Sequence, residues 1–369
     1  MRDVAVVGFA QRQMPEFDGS PTCVEMLVPL FTECYEQTGW TRHDVGFWCS
    51  GSSDYLAGRS FSFVSAVDAI GVIPPVNESH VEMDLAWALY EAWIKIQTGE
   101  VDTALVYAFG KSSAGVLRRT LALQLEPYTM TPLWVDTVSL AGLQARAGID
   151  AGAWDERAMA EVANRSLTDA EKNEYSIRKG GSSVEELLAR PMYADPLRKH
   201  DCSPVTDGAA AVLLVSEELA RRFSDDPLYI IGTGQASDTS ALHDRPELTA
   251  LRAARLAGQQ AYAMAGVTPD DVKIAEVHDC FTIAEIVATE DLGFFAPGTG
   301  HEAAEEGLTS RQGPKPINTS GGLKSKGHPV GASGAAQVVE VWKQMRGAAG
   351  ERQVDRDVDL AMTHNVGGT

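Results

Sequence analysis

The segment AGVTPDDVKIAEVHDC, residues 265–280, has a counterpart near the start of the chain, TGWTRHDVGFWCSG, residues 38–51. In each copy an amphipathic helical pattern ends at a glycine, the chain turns, and an apolar run typical of a strand follows. The positions that match at one fixed offset are Gly39 with Gly266, Thr41 with Thr268, Asp44 with Asp271, and Val45 with Val272. The repeat therefore predicts that one helix–turn–strand unit occurs twice.

Two further pairs of segments extend this repeat. VAVVGFAQ, residues 4–11, and LYIIGTGQ, residues 228–235, are short β-branched runs that contain a glycine and predict buried strands. EVDTALVYAFG, which ends at Gly110, matches DVDLAMTHNVG, which ends at Gly367, and each predicts a strand after a helix. Three matched pairs in the same order predict a duplicated α/β unit, each copy a mostly parallel sheet with helices on its faces.

The predicted halves cover residues 1–225 and 226–369. Residues 111–201, approximately, are rich in helical patterns and poor in strand signals, so we expect a helical insertion in the first half that covers a site. The run DGAAAVLLVSEELARRF, residues 207–223, predicts a last strand of that half, followed by a helix.

The composition narrows the class of protein. With 369 residues, 44% hydrophobic and 22% charged, the chain is typical of a soluble globular protein, and a net charge of -20 makes nucleic acid an improbable partner. Its apolar runs reach about ten residues, short of the roughly 20 that span a bilayer. Five cysteines without a CxxC motif indicate free thiols in a reducing compartment. We expect a cytoplasmic protein without a signal peptide.

The motif EVHDCF, residues 276–281, is the main candidate for chemistry. Alternation along the end of a strand would put His278 and Cys280 on one face. A metal site, a buried structural pair and a catalytic acid/base pair are all compatible with this spacing. A zinc site that combines this pair with His328 and His364 has suitable ligand atoms, but no short paired spacing supports it, and we expect no bound metal.

Four motifs together resemble those of the thiolase superfamily, in particular thiolases of the sterol-carrier-protein-x type and of archaea. The resemblance spans the chain, is stronger in the second half, and implies the thiolase fold: two duplicated βαβαβαββ halves, layered α/β/α/β/α, with a helical loop-domain insertion. The motifs are DCSPVTDGAAAVLL (residues 201–214), EVHDCF, INTSGGLKSKGHPVGASGAAQ (residues 317–337) and HNVGG (residues 364–368).

The resemblance assigns roles that suit carbon–carbon bond chemistry beside a thioester, which needs donors for an enolate oxygen and an acid/base at the α carbon. By resemblance, His278 donates to the thioester oxygen, Cys280 exchanges the α proton, and His328 activates the nucleophilic cysteine of the family. Because a free thiol has a pKa of about 8.5, we expect a neighbouring imidazole to lower the pKa of Cys280.

The glycine-rich segments are expected to approach the ligand with exposed backbone amides. We predict that Gly327, Gly331 and Ser333 contact the ligand beside His328, and that Gly367 and Gly368 lie near a second oxyanion site. The ligand implied by the resemblance is an acyl-CoA, so coenzyme A enters as part of the substrate and no other cofactor is expected.

The chain departs from the family at the nucleophile. Thiolases carry an acyl-accepting cysteine in a C-x-S-G pattern at the start of the helix that ends, here, in IQTG at residues 96–99. Counting back from that end places Glu82 at the nucleophile position, and no cysteine lies between Cys49 and Cys202. A covalent acyl-enzyme therefore has no obvious carrier.

Three functions fit this partial site. The favoured one is retro-aldol cleavage of a β-hydroxyacyl-CoA in lipid or steroid side-chain degradation, which needs no acyl-enzyme. Aldolases of this superfamily lack the nucleophile and work with a small OB-fold partner that carries a zinc ribbon. The alternatives are a non-catalytic subunit or lipid-transfer-type acyl-CoA binder, and a thiolytic acyltransferase that uses Glu82 or another group.

The resemblance also implies an oligomer. Members of the family dimerise through the first half, so we expect a homodimer or a heteromer with a second thiolase-like subunit. Thiolases usually have a closing strand after the motif HNVGG, where this chain stops at Thr369. We expect that strand to come either from a short tail or from a partner.

Overall fold

The computed structural model describes residues 2–13, 21–57, 61–223 and 225–367. Its strands are β1 (Val4–Gln13), β2 (Phe47–Ser50), β3 (Glu78–His80), β4 (Thr103–Lys111), β5 (Met192–Ala194), β6 (Leu197–Arg198), β7 (Asp207–Ser216), β8 (Leu228–Tyr229), β9 (Ile274–Glu276) and β10 (Ala361–Thr363). Its helices are α1 (Cys23–Thr38), α2 (Asp54–Ala57), α3 (Val64–Ile70), α4 (Leu85–Gln97), α5 (Leu117–Leu123), α6 (Thr137–Ala151), α7 (Glu156–Asp169), α8 (Val184–Leu188), α9 (Glu217–Ala220), α10 (Arg252–Ala265), α11 (Thr282–Asp291), α12 (Gly300–Glu305), α13 (Gly322–Lys326) and α14 (Ser333–Met345). Within these described residues, no helix combines the length and apolar character that crossing a bilayer requires.

The chain forms two compact units. The first comprises Met1–Leu117, Val205–Ile231 and Pro329–Trp342, and the second comprises the remaining segments, including most of the helical insertion. These units reflect contacts in space, whereas the predicted halves, residues 1–225 and 226–369, follow the duplication along the chain. The two halves stay a prediction.

A six-stranded sheet, in the order β3-β2-β4-β7-β1-β8, is the centre of the first unit. β2, β3 and β4 are parallel, whereas β7 runs antiparallel to both β4 and β1. Every residue of β7 is buried, because α1 and α3 cover one face of the sheet and α4 and α14 cover the other. Residues 207–223 were predicted to contain a strand followed by a helix. β7 and α9 confirm this prediction.

The predicted repeat corresponds to two helices that end in the same way. Gly39 ends α1 with φ 70°, and Gly266 ends α10 with φ 69°, a left-handed conformation that strongly favours glycine. In both copies the threonine two residues later donates its backbone N–H to the aspartate three residues further on, at 2.7 Å and 2.8 Å. A strand follows each turn, so the helix–turn–strand repeat is confirmed.

The segment predicted to be an insertion, residues 111–201, is mostly helical. It contains α5, α6, α7 and α8, with the short antiparallel pair β5 and β6 near its end. Trp154 and Met159 pack with Leu197 and, from α11, with Ile283 and Ile286 in one buried cluster. The insertion thus shares a hydrophobic core with the helix that follows the EVHDCF motif.

One strand is shorter than the sequence predicts. The run of residues 228–235 was expected to be one strand, but only Leu228–Tyr229 pairs, and it does so with β1 at the edge of the six-stranded sheet. The glycines later in the run explain the difference, because there the chain lies against the backbone of α10: a Cβ added at Gly234 would lie 1.8 Å from the carbonyl oxygen of Ala257. In the second unit, β9 and β10 form a parallel pair.

Candidate active site

The strand end that carries the EVHDCF motif is held at both sides. β9 leads into Val277, whose N–H donates to Asn318 Oδ1 at 2.8 Å, and the carbonyl of Cys280 accepts from the N–H of Ser203 at 2.8 Å. His278 is buried, with 5% of its surface exposed, whereas Cys280 is half-buried. The segment therefore places a buried imidazole and a partly exposed cysteine two residues apart.

The side chains of His278 and His328 are neighbours. Their ring centroids lie 5.1 Å apart with an interplanar angle of 83°. The N–H of His328 donates to the carbonyl of Pro204 at 2.9 Å, and Gly327 precedes it with φ 115°, which favours glycine. The glycine at 327 thus has a backbone role that is independent of any ligand.

The second contact of His278 comes from Asn365. His278 Nδ1 lies 2.7 Å from Asn365 Oδ1. The parallel register pairs Thr363 with Glu276, and the N–H of His364 donates to the carbonyl of Glu276, so the residues after β10 lie beside those after β9. The sequence patterns do not single out Asn365, although it stands within the HNVGG motif; the parallel pairing of two predicted strands is the only signal that could have indicated it.

Burial keeps the imidazoles neutral. It lowers the pKa of His278 to about 4, an effect that the hydrogen bond with Asn365 opposes. Burial, together with the nearby His278, lowers the pKa of His364 to about 3, and the pKa of His328 falls well below its ordinary value, with Lys326 as an additional cause. At neutral pH these rings are uncharged and each carries one N–H.

Cys280 is a protonated thiol, contrary to the expectation from the sequence. Burial raises its pKa to about 12, and the neighbouring Asp279 adds to this shift. An imidazole stabilises a thiolate only when it is positively charged, and the surrounding rings are neutral. The expected decrease in the pKa of Cys280 is therefore wrong, and its thiol keeps its proton at neutral pH.

Acidic side chains behind the strand end tie it to the INTSGG segment. Asp279 Oδ1 accepts from the N–H of Leu323 at 2.7 Å, and Glu276 Oε2 accepts from the hydroxyl of Ser320 at 2.6 Å. Burial, together with the nearby Glu285, raises the pKa of Asp279. The two acids flank Val277 and His278 along the chain, so they fix the backbone that carries the imidazole.

Glu82 belongs to the first unit and lies between β3 and α4. Its carboxylate accepts from the hydroxyl of Ser53 at 2.9 Å and from the N–H of Asp54 at 3.0 Å, and His80 Nε2 lies 3.3 Å from Oε2. Burial favours the neutral acid, but the hydrogen bonds from His80, Asp54 and Ser53 outweigh it and lower the pKa of Glu82. The following residue, Met83, has φ 116°. Glu82 is thus a constrained carboxylate.

Asp54, His80 and Glu82 also form the group of possible metal ligands found in the part of the chain that the structure describes. Their ligand atoms lie within 4.8 Å of one another. The oxygens of Glu82 already accept the hydrogen bonds described above, which compete with a cation. The expectation that the protein binds no metal stays a prediction.

The remaining predicted ligand contacts are distributed over both units. In the first unit, Gly331 has φ 97° and its carbonyl accepts from the N–H of Leu85 at 2.8 Å, while Ser333 begins α14. Gly367 is exposed in the second unit, and Gly368 lies outside the described residues. Their contact with a ligand stays a prediction.

Comparison with known proteins identifies the family. Residues 234–369 match the family described as "Thiolase C-terminal domain-like". An acetyl-CoA acetyltransferase of Methanothermobacter thermautotrophicus is 36% identical over 378 residues, which cover 100% of this chain and 97% of that protein. The chain belongs to the thiolase superfamily. The prediction of the family and of the fold class is thereby confirmed.

Two further similar proteins carry different names. Benzoylsuccinyl-CoA thiolase subunit BbsB of Thauera aromatica is 37% identical over 216 residues, which cover 58% of this chain and 55% of that protein. The solved structure named Ltp2-ChsH2(DUF35) aldolase matches with a TM-score of 0.82 at 21% identity, covering 98% of this chain and 94% of that one. This last likeness shows a shared thiolase fold.

Proposed function

We propose that this chain catalyses the retro-aldol cleavage of a β-hydroxyacyl-CoA, giving a shortened acyl-CoA and an aldehyde or ketone. One observation carries the proposal: the Cys280 thiol, whose pKa burial raises, lies two residues from His278, and the ring of His278 lies 5.1 Å from that of His328. The count along the sequence places the carboxylate of Glu82, and no cysteine, at the position of the family nucleophile. The groups for enolate chemistry are retained, and the group for acyl transfer is replaced.

The reaction needs three functions that this set of side chains provides. A base takes the hydroxyl proton, a donor stabilises the enolate oxygen that forms when the carbon–carbon bond breaks, and an acid protonates the α carbon. A thiol whose pKa is raised to about 12 is suited to the last step, because it holds its proton until a strongly basic carbanion forms. The two imidazoles supply the base and the donor.

The substrate class and the partner are parts of the same proposal. A structural neighbour is named an aldolase with a DUF35 component, which supports a small OB-fold, zinc-ribbon partner for this chain as well. We infer an acyl-CoA from lipid or steroid side-chain degradation. The cytoplasmic location inferred from the free cysteines stays a prediction.

Thiolytic acyl transfer is the second candidate, because relatives named acetyl-CoA acetyltransferase cover the whole chain. It requires a nucleophile that takes up the acyl group. The chain has no cysteine between Cys49 and Cys202, and attack by the carboxylate of Glu82 would give a mixed anhydride from a weak nucleophile. These features favour the retro-aldol reaction.

The test is a comparison of two substrates, each with and without a co-expressed OB-fold partner. The purified chain is incubated with a β-hydroxyacyl-CoA alone, and separately with a β-ketoacyl-CoA plus free CoA, and the products are followed by mass spectrometry. Cleavage of the hydroxy substrate without added CoA supports the proposal. Cleavage of the keto substrate with CoA would indicate thiolysis instead, and inactivity in every incubation would indicate an accessory subunit.

A further inference from the structure

The contact between His278 and Asn365 determines where the imidazole carries its hydrogen. Nδ1 of the ring lies 2.7 Å from the amide oxygen of Asn365. An amide oxygen only accepts hydrogen bonds, so the ring nitrogen that faces it must donate. In this arrangement the hydrogen of His278 is on Nδ1.

A neutral ring leaves its other nitrogen free to accept. His278 is 5% exposed and faces a second neutral imidazole, that of His328, so the surroundings do not favour an extra proton. With the single hydrogen on Nδ1, Nε2 has a lone pair and cannot donate. This differs from the donor role that the family resemblance implies for His278.

We propose that Asn365 is a positioning residue that holds the hydrogen of His278 on Nδ1 and thereby makes Nε2 the base for the substrate hydroxyl. The second part rests on the proposed retro-aldol function. Asn365 supports the imidazolium that forms, because its oxygen faces the N–H whose positive character increases. A base oriented by a third group in this way is a recurring catalytic arrangement.

The proton balance of the cleavage then closes within the site. The hydroxyl proton moves to His278 Nε2, the oxygen electron pair forms the carbonyl of the aldehyde or ketone, and the carbon–carbon bond breaks to give the enolate. The Cys280 thiol gives its proton to the α carbon, and the thiolate regains a proton from the imidazolium. While the enolate exists, His328 donates to its oxygen, and after the proton returns to Cys280 all the side chains are in their starting states.

The decisive comparison is between Asn365→Asp and Asn365→Leu. A carboxylate only accepts, so Asp keeps the hydrogen on Nδ1 and raises the pKa of His278, whereas Leu removes the partner at similar size. We expect Asn365→Asp to keep cleavage activity within about tenfold and Asn365→Leu to lose about 100-fold or more.

The pH profile separates this role from a structural one. A base must be unprotonated, so activity falls as pH drops through the pKa of His278, and Asn365→Asp should shift this acidic limb of kcat/KM upward by about one pH unit or more. The titratable side chains that face or adjoin His278 are His328, His364, Asp279 and Cys280, with Lys326 acting on His328. The control variant is Asn164→Asp, in which Asn365 is unchanged. The acidic limb of its pH profile of kcat/KM should not move.

The opposite amide orientation makes the opposite prediction. If the amide nitrogen of Asn365 donated to Nδ1, the hydrogen would be on Nε2, and Asn365→Asp would be as inactive as Asn365→Leu. That result would overturn the proposal.

A measurement on the unaltered protein is independent of turnover. ¹⁵N NMR of the imidazoles, with the His278 signals assigned from their absence in His278→Gln, identifies the protonated ring nitrogen. We expect protonation at Nδ1, and protonation at Nε2 would refute the assignment. Protonation at Nδ1 in a chain that does not cleave β-hydroxyacyl-CoA would leave the role of Asn365 standing while the proposed reaction failed.

Discussion

At the scale of single residues, the site combines groups whose protonation states burial controls. The imidazoles are neutral and the thiol keeps its proton, because burial disfavours the charged form of each group. Glu82 is the opposite case, a carboxylate that hydrogen bonds hold in its charged form. His278, His328 and Cys280 are therefore uncharged at neutral pH, whereas Glu82 is charged.

Substitution of the proton donor is the most direct test at this scale. We expect Cys280→Ser to lower the cleavage rate by about 100-fold or more, since a hydroxyl is a much weaker acid than a thiol. The rate is measured with a β-hydroxyacyl-CoA under saturating conditions. The matched control is Cys34→Ser, because burial also raises the pKa of the Cys34 thiol to about 12, yet it packs in the core of the first unit. A comparable loss in the control would argue against a specific role for Cys280.

At the scale of elements, much of what the sequence predicts rests on rules that act over a few residues. Glycines at 39 and 266 end helices, and a threonine and an aspartate shape each following turn. The short pairing of the run 228–235 could not be predicted in the same way. Its β-branched residues favour a strand, but close packing of its glycines on α10 overrides that preference.

The duplicated helix ends give a symmetric prediction. Gly39→Ala and Gly266→Ala should each lower the free energy of unfolding by about 1–2 kcal/mol, because a Cβ disfavours the left-handed backbone while the space around both glycines is open. Chemical denaturation measures the change. Gly266→Asn, which tolerates this conformation better, should cost less than Gly266→Ala. Equal costs for the two would mean that the backbone conformation is not the cause.

The start of α4 gives a prediction with a defined dependence on pH. Burial raises the pKa of the N-cap Asp84 to about 7, so its contribution to stability is present below the unfolded value of 3.8 and is lost as pH rises through about 7. Asp84→Asn keeps a capping side chain without the charge. Relative to the unaltered chain, this variant should gain roughly 2–3 kcal/mol in stability between pH 5 and pH 8.

At the scale of the whole molecule, the sequence predicts the family and most of the residues of the candidate site. It does not predict the hydrogen-bond partner of His278 or the protonation state of Cys280. The motifs identify His278, Cys280 and His328 because each is a local pattern. Asn365 and the raised pKa of Cys280 depend on strand pairing and burial, which arise only when distant segments meet.

The net charge of the chain makes its expected self-association sensitive to salt. We predict a dimer, as in other members of the family, and at a net charge of -20 two copies repel each other more strongly when fewer ions screen them. Sedimentation velocity at about 0.02 M and 0.5 M salt should show more dimer at the higher concentration. A monomer under both conditions would contradict the prediction.

The parallel pairing of β9 with β10 also has a consequence for protein synthesis. The ribosome makes His278, Cys280 and His328 before it makes Ala361–Thr363, so a nascent chain contains these three side chains while the amide that orients the imidazole does not yet exist. A polypeptide released before that strand would lack HNVGG but would still carry EVHDCF and GHPVGASG. Premature termination there would therefore yield a product that contains His278, Cys280 and His328 but lacks the Asn365 amide that orients the His278 imidazole.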